Sequence, residues 1–245
     1  VKPRSAAIVA VASLGLQLPA FADGARSDMA LVLAVDVSGS VDDDRFKLQR
    51  EGIAAALESD DFSAAIAGGV NQTIEIAVVE WAEEQRVVLP WTVIHGHGEL
   101  AALAGRLRRV GRSWVHTMTD PGGGIAAAER LLAAQPLVAG RQVIDVSGDG
   151  RQNTGELSAA DARDAAVSHG ITLNGLPITS GEDPDVDGWY RANVIGGPGA
   201  FLVVANGYDA FAEAFRQKLT LEVAGLAPDR KPAIALIRRH ARPPD

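Results

Sequence analysis

The 245-residue sequence contains no cysteine, which removes disulfides and thiolate metal ligands and leaves the redox compartment open. Positive charge is in deficit: 23 Lys and Arg stand against 31 Asp and Glu, a formal net charge of −8. That balance disfavours nucleic acid and anionic membranes as partners and suits a cation or a basic surface. Aromatic residues make up only 5%, and Trp81, Trp91, Trp114 and Trp189 are dispersed, reading as core or partly buried rings rather than a stacking platform. The phosphate loop GxxxxGK[ST], the nucleophile elbow GxSxG and the zinc helix HExxH are all missing. His95 and His97 flank Gly96 in an isolated turn and read as solvated side chains, not a metal pair. Beyond the first 22 residues no apolar run reaches the roughly 20 residues that a membrane span requires.

What is present begins with an export signal. Lys2 and Arg4 precede an apolar stretch over 6–18, followed by Pro19 and the small-x-small triplet Ala20-Phe21-Ala22, a pattern that places cleavage after Ala22 and export to a bacterial periplasm. Loss of Lys2 and Arg4 with this leader takes the net charge from −8 to −10. The mature chain then reads as one domain over 23–227, with no transmembrane segment. A basic tail over 228–245 carries Arg230, Lys231, Arg238, Arg239 and Arg242 and reads as a solvated appendage.

Within the domain, apolar runs alternate with amphipathic segments, the order of an α/β fold with helices on both faces of a mostly parallel sheet. Strands are predicted over 30–35, 73–81, 86–89, 142–146, 171–178 and 200–204. Several are uninterrupted apolar runs, as strands buried on both faces require. Helices are predicted over 42–57, 99–108, 122–134, 159–168 and 208–223, the last showing Phe211, Phe215 and Leu219 as one core stripe. Ser158 with Asp161 forms a capping box, Gly170 supplies a stop, and Asp120 precedes Pro121 as a cap before a first-turn proline. Thr119 therefore lies in a loop just ahead of a helix.

The chemistry concentrates at strand ends. The segment DVSGS puts Asp36, Ser38 and Ser40 directly after the first buried strand, and VIDVSGDG puts Asp149-Gly150 after the fourth. Ligands of open parallel sheets bind beyond the carboxyl ends of the strands where strand order reverses, so the two segments and the Thr119 loop can converge. Hydroxyl and carboxylate oxygens, with no histidine or thiolate, suit a hard divalent cation, magnesium first, with manganese or calcium as alternatives. Other readings compete. Ser40 with Asp43 also satisfies a capping box, while Asp42, Asp43 and Asp44 complement a helix N-terminus. Residues 145–156 place Asp, Ser, Asp, Gly and Glu at calcium-loop positions, but the segment before them reads as strand rather than the helix that an EF-hand needs. A metal-dependent hydrolase using the same pocket is the alternative function, although Ser38 stands where an Asp-x-Asp phosphatase has its second carboxylate.

Taken together, Asp36-x-Ser38-x-Ser40, Thr119 and Asp149-Gly150 resemble, in chain order, the metal-ion-dependent adhesion site of von Willebrand factor type A (vWA) domains. The stretch TDPGGGI is similar to that family's Thr-x-x-Gly-x-small-aliphatic pattern, which favours Thr119 over Thr117 as the threonine ligand. More narrowly, VEWAEEQRVVLPWTVI, VIDVSGDG, VIGGPGAF and FAEAFRQKL resemble the bacterial domain-of-unknown-function 1194 family. The resemblance implies a doubly wound sheet of order 3-2-1-4-5-6. It also implies a cation held directly by Ser38, Ser40 and Thr119 and partly through water by Asp36 and Asp149. The function implied is a non-enzymatic module that binds a protein partner, whose acidic side chain completes the cation's coordination. Gly148 departs from the pattern, where many relatives carry Thr or Ser.

Overall fold

The computed structural model describes residues 25–115, 117–180 and 183–225. The leader, its cleavage point and the basic tail over 228–245 lie outside the described residues. Six strands form the main sheet: β1 (Met29–Asp36), β2 (Ile74–Trp81), β3 (Gln85–Ile94), β4 (Gln142–Gly148), β5 (Thr172–Thr179) and β6 (Ala205–Asn206). Their order is β3-β2-β1-β4-β5-β6, the doubly wound 3-2-1-4-5-6 arrangement expected from the sequence. Every neighbouring pair is parallel except β2 with the edge strand β3. A short parallel pair, Arg26–Ser27 with Val138–Ala139, lies apart from it.

Among the described residues seven α-helices cover the sheet: α1 (Asp43–Leu57), α2 (Asp60–Ala67), α3 (His97–Arg109), α4 (Pro121–Leu132), α5 (Ala159–Ser168), α6 (Val186–Asn193) and α7 (Phe211–Val223). The period-2 alternation of β1 sorts the core. Met29, Leu31, Leu33 and Val35 pack with α1, α2, α3 and α7, including Phe211, Phe215 and Leu219. The smaller Ala30, Val32 and Ala34 face α4, α5 and α6. The small-residue face goes with a close helix: a Cβ on Gly124 of α4 would lie 2.7 Å from the ring of Trp81. Three consecutive glycines each cost a helix about 1 kcal/mol relative to alanine. This helix is favoured by its start instead, with Pro121 in the first turn and the Asp120 carboxylate accepting from the Gly123 N–H.

Other helix ends follow the same logic. Ser158 Oγ accepts from Asp161 N–H and donates to its carboxylate, at 3.0 and 2.6 Å, and Gly170 takes φ +82° just past α5. At α1 the cap is Asp42, whose Oδ1 accepts from the N–H groups of Asp44 and Arg45. The capping-box reading of Ser40 is thereby corrected, because the helix begins two residues too late for it.

Three further features differ from expectation. Helices α2 and α6, each of eight residues, are additional. The edge strand β3 continues to Ile94 past Pro90, with register shifts in its pairing to β2, the setting in which a sheet tolerates proline. The predicted strand over 200–204 is only a single bridge of Leu202 with Gly175, and strand pairing resumes at Ala205–Asn206. Gly196, Gly197, Pro198 and Gly199 precede it, and this loop spends its hydrogen bonds on the edge of β5 irregularly.

Candidate functional site

After β1 the chain passes to α1 on one face of the sheet, and after β4 to α5 on the other, so a cleft opens between their carboxyl ends. Asp36 ends β1 and is fully buried. Its Oδ1 accepts the Ser38 N–H at 2.7 Å, and its Oδ2 has no well-formed hydrogen bond. The Ser38 and Ser40 hydroxyls lie 3.3 Å apart, and Ser40 Oγ donates to Asp149 Oδ1 at 2.6 Å. Four of the five residues expected from the sequence thus form one chain of short polar contacts. The fifth, Thr119, is buried beside them. A Cβ on Gly150, the residue after Asp149, would lie 3.6 Å from Thr119 Cγ2 and 3.9 Å from its hydroxyl oxygen.

Backbone bonds fix the three loops to one another. Gly39 N–H donates to Thr117 O at 2.9 Å, and Asn153 N–H to Thr119 O at 3.0 Å. Asn153 Oδ1 accepts in return from Thr119 N–H at 2.8 Å. The Thr117 hydroxyl is buried and unpaired.

Several residues at the site carried no signal in the sequence. Tyr208 donates its hydroxyl to Asp149 Oδ2 at 2.9 Å. Arg45 donates to Ser40 O at 2.6 Å and lies 3.6 Å from Asp149 Oδ2. Arg112 donates to the carbonyls of Val37 and Ser38 at 3.1 and 2.8 Å, drawing the DVSGS loop inward.

The electrostatics follow from burial. Burial first, then the charge of Asp149, pushes the Asp36 carboxyl up to about 7, against the opposing N–H and hydroxyl donors of Ser38 and the N–H of Asp149. Burial, then Asp149, raises the Tyr208 phenol, and burial, then Asp36, raises that of Tyr190. Both phenols keep their protons. Among the described residues no group of three or more His, Asp or Glu is placed to hold a metal. This set differs in kind, with two carboxylates supplemented by neutral hydroxyls. Its oxygen-only donors and the mutual repulsion of two buried carboxylates fit a hard dication.

The remaining motifs resolve differently. His95 is exposed and pairs with Thr73 at 3.0 Å, at the opposite end of β2 from the site. The calcium-loop reading of residues 145–156 is excluded by geometry: its first positions belong to β4, and Asp145 turns into the core, 2.5 Å from Lys218 Nζ. Lys218 also donates to Glu222 at 2.7 Å. Gly148 has a spatial cause, since a Cβ there would lie 2.7 Å from both Asp36 Oδ2 and the Tyr190 hydroxyl.

Residues 26–227 match the model of the family described as "Protein of unknown function (DUF1194)". The chain belongs to that family. No match is found among curated proteins. The DUF1194 domain is similar in fold to the von Willebrand factor type A protein from Catenulispora acidiphila, with 20% identity and TM-score 0.56 over 82% of this chain and 43% of the other. It is also similar to the vWF domain of the type V pili tip protein Mfa5 from Porphyromonas gingivalis, with 10% identity and TM-score 0.57 over 82% and 96%. A third similar structure is proximal thread matrix protein 1 from the mussel byssus with a zinc-occupied MIDAS motif, at 14% identity and TM-score 0.57 over 80% and 46%. The DUF1194 chain spans under half the length of this byssus protein. These likenesses establish a vWA-like fold.

Proposed function

We propose that this DUF1194 domain is an exported, divalent-cation-dependent protein-binding module. The observation that carries the reading is the fully buried Asp36 carboxylate, one oxygen unpaired, in one polar chain with Ser38, Ser40 and Asp149 at the switch point of the sheet. Ser38, Ser40 and Thr119 would hold magnesium, or manganese or calcium, directly, and Asp36 and Asp149 partly through water. When bound, the cation supplies a Lewis-acidic position that a partner's carboxylate can occupy, because neutral hydroxyls leave its charge incompletely balanced.

The chain's own residues prepare that arrangement. Ser38 N–H and the Arg112 clamp orient the DVSGS loop, while Tyr208 and Ser40 orient Asp149. Beside the loop lies an open groove of about 480 Å³, lined by Gly39, Asp42, Asp43, Asp44, Arg112 and Val115. It gives a partner side chain access. A binding role is favoured over hydrolysis because Ser38 occupies the place of a second acid/base carboxylate, and no described histidine reaches the cleft. The similar structures, a pilus tip protein and a byssus matrix protein among them, agree with an extracytoplasmic binding role, as does the leader-like sequence over 1–22.

Isothermal titration with magnesium and manganese tests the reading. The wild-type domain should take up one ion, and Asp36→Ala none. Capture of periplasmic proteins on the immobilised domain should be lost with chelator and with Asp36→Ala. Absence of ion uptake by the wild type, or capture indifferent to chelator, would refute it.

A further inference from the structure

The tyrosine count adds a second layer to this site. The chain contains two tyrosines, and both lie beside the site's aspartates. Tyr208 donates to Asp149 directly. Tyr190, from α6, is fully buried, and its hydroxyl has no partner. Its ring enters the sheet where two adjacent strands carry glycine. A Cβ on Gly175 of β5 would lie 3.1 Å from Tyr190 Cδ1, and one on Gly148 of β4 would lie 2.7 Å from the Tyr190 hydroxyl oxygen and 2.7 Å from Asp36 Oδ2. The two oxygens therefore flank a single glycine and are separated by no more than twice that distance.

Buried polar atoms are hydrogen-bonded in about nine cases of ten. Two orphans on either side of one glycine, a proton-bearing phenol and a carboxylate oxygen, are complementary donor and acceptor. A phenylalanine would fill the same slot at no polar cost, so the hydroxyl needs a partner to account for it.

We propose that Tyr190 is the positioning residue for Asp36: its hydroxyl donates through one bridging water to Asp36 Oδ2 and fixes the carboxylate's orientation for the cation. The role rests on the cation-binding reading above. It accounts for Gly148, since a hydroxyl-bearing side chain at that position would occupy the space the Tyr190 hydroxyl uses. The two strand glycines and the tyrosine thus form one device, drawn from three separated parts of the sequence.

Tyr190→Phe removes one oxygen and keeps the ring. Titration with magnesium should show an affinity about 10- to 100-fold weaker than wild type, the range for loss of a group supporting a metal ligand, while the metal-free melting temperature stays close to wild type. An independent readout uses metal-free protein with tyrosine labelled at the phenol carbon. Asp36→Asn should move the Tyr190 resonance, assigned by its loss in Tyr190→Phe, more than that of Tyr208. Equal magnesium affinity in Tyr190→Phe and wild type would overturn the positioning role, as would a Tyr190 resonance indifferent to Asp36→Asn. A wild-type domain that binds no magnesium sinks the cation reading instead, and the metal-free resonance still decides the link between Tyr190 and Asp36.

Discussion

Replacing Asp36 with asparagine should stabilise the metal-free domain and abolish its response to magnesium. The buried Asp36 carboxyl titrates at about 7 against an ordinary value of 3.8, and each unit corresponds to about 1.4 kcal/mol. Keeping Asp36 ionised above pH 7 therefore costs the folded state about 4 kcal/mol. The sign is that of a raised folded-state pKa: stability is fully present below the unfolded value, 3.8, and is lost as pH rises through about 7. Asparagine carries no charge, and its carbonyl can still accept the Ser38 N–H. An amide proton left unpaired near Oδ2 returns about 1–3 kcal/mol of the gain. The net advantage is about 2 kcal/mol above neutrality, or about 4–8 °C in melting temperature for a domain of this size. Urea denaturation in chelator across the pH range measures it, as the difference between variant and wild type. With magnesium at 100 times its dissociation constant the wild type alone should gain about 2.7 kcal/mol. An asparagine variant less stable than wild type above neutral pH, or one that keeps the magnesium shift, would falsify this reasoning.

Lys218→Met should destabilise by about 3–5 kcal/mol, because it strands Asp145 and Glu222 in the core without their shared cation. Thermal denaturation reads the loss, and adding Asp145→Asn should restore part of it. Thr119→Ala should weaken magnesium binding and Thr117→Ala should not, as titration of the two variants will report; the reverse ranking would reassign the threonine ligand to Thr117. Glu156→Ala should leave ion affinity unchanged, since the calcium loop it would close begins inside strand β4 and its own side chain is exposed.

The parallel core of the fold was legible because buried strands write themselves as apolar runs: β1, β2, β4 and β5 fall within two residues of their predicted ends. Helix starts were legible where a cap was local, as at Ser158 and Asp120. Helix α6 was not, because only Val186 and Tyr190 are buried on it, too few for a periodic signal. Helix α2 follows α1 after two residues, leaving no loop to mark its start. At the site, the residues that share short motifs with strand ends were legible, and the structure brings Asp36, Ser38, Ser40 and Asp149 into contact. Tyr190, Tyr208 and Arg112 were not, because their placement depends on how distant helices and loops return to the sheet.

The three loops around Asp36 are laced together before any ion arrives: Gly39 to Thr117, Thr119 to Asn153, Ser40 to Asp149. A cation bound as proposed would meet a socket already shaped, so little chain entropy would remain to be surrendered on binding. Occupancy should then answer chiefly to the local electric field, varying steeply with acidity and only weakly with anything that merely loosens the chain.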